Sequence, residues 1–501
     1  MTIGFAVRRR DPELVAPARQ TPRETKRLSD IEDQVGLRWH VPFVLFYRGR
    51  GGSGAGADDD PVAVVRRALG EALVSYYPLA GRLREVEGRK LVVDCTGEGV
   101  VFVEADADVR LAELEVAGLT PPFPCMDQLL FDVDGSGGVL NCPLLLIQVT
   151  RLLCGGFVFA LRLNHTMCDA AGIVQFMSAV GELARGLPSP TVAPVWLRET
   201  LDARSPSMPS FPHREYDPVP PTPFPPPGDL IMRTFTFSPA DVVAIKKVIS
   251  AQGGGSKATT FEALAALIWR ARTAALEIPG GEDARLVIAA SVRGVHDLGL
   301  PAGYYGNACV YPSAVSAAGA LRGGSLGDAV ALVRVAKEAA AAAGAEYVRS
   351  TADLMALRER PSLALANALI VSDNRHAGFR RVDLGWGEPV YGGPAGALFV
   401  LSFIVAVRNG DGEDAVAVPV VLPRAAMDRF ASELSKLPPP ELYRHLHRII
   451  VPRRSPFFTS QNIPKLQPTK FTGNFVFLRL LSANSSAVVS IYFFVAPRLF
   501  F

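Results

Sequence analysis

No stretch of this chain supplies the ~20 uninterrupted apolar residues that a membrane-crossing helix needs. The apolar clusters near the C-terminal end are interrupted by Arg479, Asn484, Ser485 and Ser486. No membrane partner is therefore expected. Cysteine is scarce: Cys95, Cys125, Cys142, Cys154, Cys168 and Cys309 lie too far apart for a disulfide framework or a zinc site, and reduced thiols are the natural reading. Excess charge is lacking as well, since a net charge of +3 over 501 residues gives no argument for binding nucleic acid. Met1 to Arg10 holds no basic region followed by an apolar core, so a cytoplasmic location is the expectation. Two catalytic signatures are missing too. No Gly-x-Ser-x-Gly elbow occurs, and the glycine-rich stretch Gly49 to Asp60 lacks the Lys-Ser/Thr end of a phosphate-gripping loop.

What is present is a globular composition, 49% apolar and 20% charged. At ~150 residues per domain the length implies two or three units. The strongest boundary is residues 188–228, where 13 of the 40 prolines fall. Each proline removes a backbone donor and fixes φ, so the run reads as a semi-rigid crossover. It separates an N-terminal domain at 1–187 from a C-terminal domain at 229–437. Residues 438–501 change character, showing neither helical period nor partners, and are expected to be a poorly ordered tail. Before the crossover, strands are predicted at 3–7, 41–47, 90–94, 100–104, 144–149 and 157–163, with helices from Pro61 and from Ala170. After it, helices are predicted at 239–250, 261–275, 325–343 and 425–437, and strands at 231–237, 286–291, 369–372, 398–407 and 415–422.

The chemistry concentrates at Asn164-His165-Thr166-Met167-Cys168-Asp169, the turn between a buried strand and an amphipathic helix. Three readings compete there. His165 is a buried structural histidine with Asp169 capping the helix, or the two are metal ligands lacking a third partner, or His165 is a general base. An imidazole near its natural pKa takes a proton from a hydroxyl or amine at neutral pH. Asp169 either orients that ring or pairs with an arginine, and spacing does not decide between them. Cys168 as a nucleophile lacks any sign of activation.

Two further turns stand out. Asp383-Leu384-Gly385-Trp386-Gly387 sets glycines on both sides of a tryptophan, which implies a tight turn pinned by one large ring. Pro301 to Asn307, containing Tyr305, follows Arg293 at a strand end. Ser256, Lys257 and Thr260 follow a glycine loop and precede a helix start, a plausible phosphate site.

Together these residues resemble the plant BAHD acyltransferase family, on four motifs in the family's order. They are Tyr77-Pro78-Leu79-Ala80-Gly81-Arg82, His165 to Asp169, Tyr305-Gly306-Asn307 and Asp383 to Gly387. The segment Arg27-Leu28-Ser29-Asp30-Ile31-Glu32-Asp33, with Val371-Ser372-Asp373 and Tyr391-Gly392-Gly393-Pro394, looks most like the benzyl alcohol benzoyltransferase branch. The resemblance implies an α/β fold of two similar-sized mixed-sheet domains, of the chloramphenicol acetyltransferase-like type, with the active site in a channel between them. It implies a monomer with no metal and no permanently bound cofactor. An acyl group, aromatic and benzoyl-like, would pass from acyl-CoA to a small alcohol, or alternatively to an amine, without an acyl-enzyme. A non-catalytic binder of acyl-CoA or of a protein partner is the reading from another class. By resemblance His165 is the base, Asp169 pairs with Arg293, and Asp383, Gly385, Trp386 and Gly387 support the site. Tyr305, Asn307 and Ser372 join Ser256, Lys257 and Thr260 as candidate substrate or CoA contacts. Leu384 replaces the family's phenylalanine and Ala170 stands where many members have glycine.

Overall fold

The computed structural model describes residues 3–50, 60–132, 139–220, 224–252, 257–410 and 412–436. The tail expected from 438 onward, candidate Ser256 and most of the loop at 49–60 lie outside the described residues.

The chain opens with short strands β1 (Val7–Arg9), β2 (Glu13–Val15) and β3 (Thr25–Arg27), then the long β4 (His40–Tyr47). The first strand starts later than predicted, because Ile3 and Phe5 pack onto a core instead of entering the ladder. Helix α1 (Pro61–Ser75) is capped by Asp60, which accepts from Ala63 N–H, and begins on a proline, where a missing N–H costs nothing. Strands β5 (Arg82–Glu85), β6 (Leu91–Asp94) and β7 (Val100–Ala107) follow, then helices α2 (Leu111–Ala117) and α3 (Met126–Leu129). Strands β8 (Leu145–Leu152) and β9 (Phe157–Asn164) lead into α4 (Ala170–Ala184).

The second half runs β10 (Leu230–Phe237), α5 (Pro239–Ala251), α6 (Thr260–Ala275), β11 (Asp283–Ser291), β12 (Cys309–Val310), β13 (Ser313–Ala317) and α7 (Ala318–Gly323). It continues through α8 (Leu326–Ala343), α9 (Ala345–Leu357), β14 (Ala368–Asp373), β15 (Tyr391–Pro394), β16 (Leu401–Arg408), β17 (Asp414–Pro423) and α10 (Arg424–Ser435). Ser238, Thr259 and Ser325 cap α5, α6 and α8, and in each the acid three residues on (Asp241, Glu262, Asp328) bonds back to close a capping box. Helix α9 is not among the predicted elements. Its buried residues interleave polar Ser350, Thr351 and Asp353 with Tyr347, Val348, Ala352 and Met355, which blurs the apolar stripe by which a helix is read.

These elements build two mixed sheets, β1-β7-β8-β9-β4-β15 and β10-β17-β16-β14-β11-β12, each with one further strand, and a small antiparallel sheet β3-β6-β5. β4 shows no polar alternation because both of its faces are buried. Val41, Phe43, Leu45 and Tyr47 turn to the core under α1 and α4. Val44 and Phe46 turn the other way, onto Val405, Val407, Ala415 and Ala417 of the second sheet. Strand β9 alternates likewise, Phe157, Phe159, Leu161 and Leu163 on one core and Val158 and Ala160 on the other. Strand β15, late in the chain, crosses back to pair antiparallel with β4.

The proline-rich run is a fixed strap. Arg204 within it meets Glu346 at 3.0 Å and Asp353 at 2.7 Å. His213 lies 2.7 Å from Ser350 Oγ and 3.0 Å from Glu215. That chain of groups has the order of a hydrolytic triad, but it is sealed: Ser350 Oγ also accepts from the Ser210 and Phe211 N–H groups. It pins the strap to α9.

Candidate active site

Strand β9 and helix α4 are held at a fixed angle by two devices. Asp169 caps α4 by accepting from Gly172 N–H at 2.9 Å. A Cβ on Gly172 would lie 2.0 Å from the Tyr305 carbonyl oxygen, so the helix crosses that loop only at glycine. His165 occupies the turn between strand and helix, half-buried. Its backbone N–H donates to Trp39 O at 2.9 Å. Asn307 Nδ2 donates to the carbonyls of His165 (2.7 Å) and Thr166 (3.1 Å).

The imidazole is set by one contact, Nδ1 to the Cys168 carbonyl at 3.1 Å. A carbonyl only accepts, so the neutral ring carries its proton on Nδ1 and leaves a lone pair on Nε2. Burial is the largest influence on its pKa and lowers it below the usual 6.5, outweighing the attraction of Asp169. The ring is therefore neutral near pH 7. Cys168 is fully buried and its thiol is pushed well above its usual range, which removes it as a nucleophile.

Asp169 does not face the imidazole. Its Oδ2 is ion-paired to Arg293 Nη1 and accepts from Ala308 N–H at 3.0 Å. Arg293 Nη2 donates to Gly306 O at 2.7 Å. The carboxylate thus joins the His165 turn to the 304–308 loop, and His165 and Asp169 do not converge as two ligands of one metal. Among the described residues no cluster of three metal-ligating side chains occurs.

Beneath this lies a pair that sequence reasoning missed. Glu32 and Arg198, both almost wholly buried, form an ion pair. Glu32 Oε1 accepts from Asn307 N–H at 2.9 Å, and Oε2 from Ser29 N–H at 3.1 Å. Arg198 donates to Met167 O at 3.0 Å and stacks over Trp196 at 4.3 Å. A Cβ on Gly306 would sit 1.5 Å from Arg198 Nη1, which accounts for the glycine between Tyr305 and Asn307. The available signal was the Ser29-x-x-Glu32 spacing, which marks a locally capped turn but says nothing about Arg198.

Three expectations are corrected. Tyr305 is buried in the core against Tyr76 and Trp196, so it is packing and not a substrate contact. Asn307 is 1% exposed, its Nδ2 donates to two backbone carbonyls and its Oδ1 is buried, so it positions the turn instead of meeting substrate. The third concerns the turn Asp383 to Gly387, which is clamped onto the far end of β9. Trp386 packs on Phe157 at 5.1 Å under Arg50, and Asp383 Oδ1 accepts from the Gly385 and Gly387 N–H groups at 2.8 Å. Seven steps of ~3.3 Å separate Phe157 from Asn164, so this turn braces the sheet ~23 Å from the His165 end. Gly385 and Gly387 take φ of 102° and 80° there, and Leu384 is fully buried in the N-terminal core. Lys257 is exposed and Thr260 half-buried at the start of α6, and Ser372 is half-buried on β14.

Replacing Asn307 by alanine is expected to lower kcat about tenfold or more with KM little changed. The His165 and Thr166 carbonyls lose their donor and the ring drifts from its place. Steady-state kinetics on the folded variant would check this; a rise in KM alone would instead make Asn307 a substrate contact.

A family model described as the transferase family matches residues 5–437. A benzyl alcohol O-benzoyltransferase of Petunia hybrida is 50% identical over 440 residues, covering 86% of this chain and 94% of that protein. Its counterpart from Nicotiana tabacum is 50% identical, covering 86% and 93%, and alcohol acyltransferase 16 of Actinidia chinensis var. chinensis is 49% identical, covering 87% and 94%. Among solved structures, vinorine synthase superposes with a TM-score of 0.64 at 21% identity, covering 88% of this chain and 98% of its own. F. graminearum TRI101 complexed with coenzyme A and T-2 mycotoxin superposes at 0.65 with 18% identity, covering 81% and 96%.

Proposed function

This chain belongs to the BAHD transferase family, and from that membership we propose that it moves an aromatic, benzoyl-like acyl group from acyl-CoA to the hydroxyl of a small alcohol. The observation that carries the reading is the neutral imidazole of His165, pinned through Nδ1 and with Nε2 free to accept a proton. Nε2 takes the alcohol proton as the oxygen attacks the thioester carbon. The new C–O bond forms, the C–S bond breaks, and the departing thiolate takes the proton back from Nε2. Asp169 contributes at a distance, favouring the transient imidazolium while its own hydrogen bonds stay with Arg293 and Ala308. Lys257 and Thr260, at the mouth of α6, are proposed to meet CoA phosphate, and Ser372 to meet substrate.

Thiol release from benzoyl-CoA, measured against a panel of alcohols and amines, tests the proposal. Benzyl ester formation is the expected result; amide formation alone would reassign the acceptor, and no release with any acceptor would leave a binding protein. A pH dependence follows from the lowered pKa of His165. kcat/KM is expected to be flat from pH ~7 upward and to fall only on the acid side, where the base is lost. The same shift acts on stability. The unfolded chain binds this proton more tightly than the folded one, so the group's contribution is present above the unfolded pKa of ~6.5 and is lost as pH falls through the lower, folded value. A kcat/KM still climbing above pH ~8 would point to a base of different kind.

A further inference from the structure

Arg272, on the last turn of α6, is 3% exposed and has no carboxylate partner among the described residues. Its Nη2 donates to the Phe399 carbonyl at 3.2 Å, its plane rests 4.9 Å from the Phe399 ring, and its Nε meets no acceptor. Each other buried arginine among the described residues has an acid beside it: Glu98 for Arg82, Glu32 for Arg198 and Asp283 for Arg285. A buried guanidinium without one is costly, and desolvation alone lowers its pKa to about 10. The side chain lines a cavity of about 450 Å³ whose other walls include Phe224, Leu276, Ile278, Leu363, Leu365 and Phe399. That is room for a small organic molecule.

We propose that this cavity is a binding site for a small carboxylate with an apolar body, held by Arg272. The chemistry selects the class. A carboxylate matches the planar fork of a guanidinium and supplies the one negative charge the site lacks, while the apolar walls cover an aromatic or aliphatic body. A phosphate dianion fits less well: besides Arg272 the polar side chains of the wall are Ser362 and Asn367, and the Asn367 amide already donates to Glu282 at 2.8 Å. The site is separate from His165. Ala368, which lines the cavity, pairs with Arg285 at the start of β11, whereas Arg293 follows the other end of that strand. Arg285 to Ser291 alone spans ~20 Å. The site therefore stands whatever the outcome for acyl transfer.

The test is fluorine NMR titration of the full chain with 4-fluorobenzoate while the CoA site is held occupied by excess CoA. One bound equivalent is expected to persist under CoA, to weaken at least tenfold in Arg272→Met, and to vanish in Leu276→Trp, which fills the cavity while leaving the guanidinium in place. Uncharged 4-fluorobenzyl alcohol should bind the wild type and Arg272→Met alike. As a second readout, benzoate should raise the thermal midpoint of the wild type and not that of Arg272→Met. Equal binding by wild type and Arg272→Met, displacement by CoA, or retention in Leu276→Trp would each overturn the proposal, leaving a cavity that holds water.

Discussion

Alanine at position 165 should lower turnover by about three orders of magnitude with little change in the apparent affinity for acyl-CoA. The size follows from the division of labour at the site. In the proposed reaction the ring takes the alcohol proton through Nε2, and the residue's other polar groups are committed: Nδ1 to Cys168 O, the backbone N–H to Trp39 O, the carbonyl to Asn307. Removing the ring leaves that backbone in place, so binding should survive while proton transfer is lost. Glutamine at 165 fills the space and offers no comparable base, so it should be equally slow. Steady-state thiol release on both variants is the check, and near-normal turnover by either would remove His165 from the chemistry.

The second large effect is expected at Glu32, buried beneath the His165 turn. Glu32→Ala leaves the Arg198 guanidinium buried without its counter-charge, at a cost of about 3–5 kcal/mol. That is a large share of the 5–15 kcal/mol typical of a folded domain. It also frees the Asn307 N–H and loosens the Met167 carbonyl, which Arg198 holds at 3.0 Å, so activity should fall with stability. Combining Glu32→Ala with Arg198→Met should recover much of the lost stability, because the second change removes the orphaned charge. Urea unfolding of the single and double variants would measure this coupling. A single variant within 1 kcal/mol of wild type would contradict the role given to the pair.

Much of this arrangement was legible in the chain because local rules and tertiary packing agree. The predicted strands at 41–47 and 157–163 are found as β4 and β9, and the helix after Asp169 is found with that aspartate as its cap. Here an apolar run, a polar turn and a 3.6-residue period coincide. What stayed hidden is long-range. Nothing near Glu32 announces Arg198, and nothing near Tyr391 announces that β15 joins the sheet of β4. Tyr305 and Asn307 were placed against substrate because a turn motif shows residue types without showing which side of the turn faces the solvent. The Asp383 to Gly387 turn reads in the sequence as a tight turn pinned by its tryptophan, and only the family resemblance tied it to the site, whereas the sheet carries it to the opposite end of β9. Helix α9 escaped because polar groups interrupt its buried face, Ser350 and Asp353 being satisfied by the strap across it and Thr351 by the Tyr347 carbonyl.

Direct transfer with His165 Nε2 as the base and no covalent intermediate can be decided by rapid mixing of the full chain with benzoyl-CoA. Free thiol and the mass of the chain are followed first without an acceptor and then with benzyl alcohol. No burst of thiol and no added benzoyl mass are expected in the absence of alcohol, then thiol and ester appearing one for one once alcohol is present. A burst approaching one equivalent of thiol, with a benzoyl group retained on the chain, would contradict it.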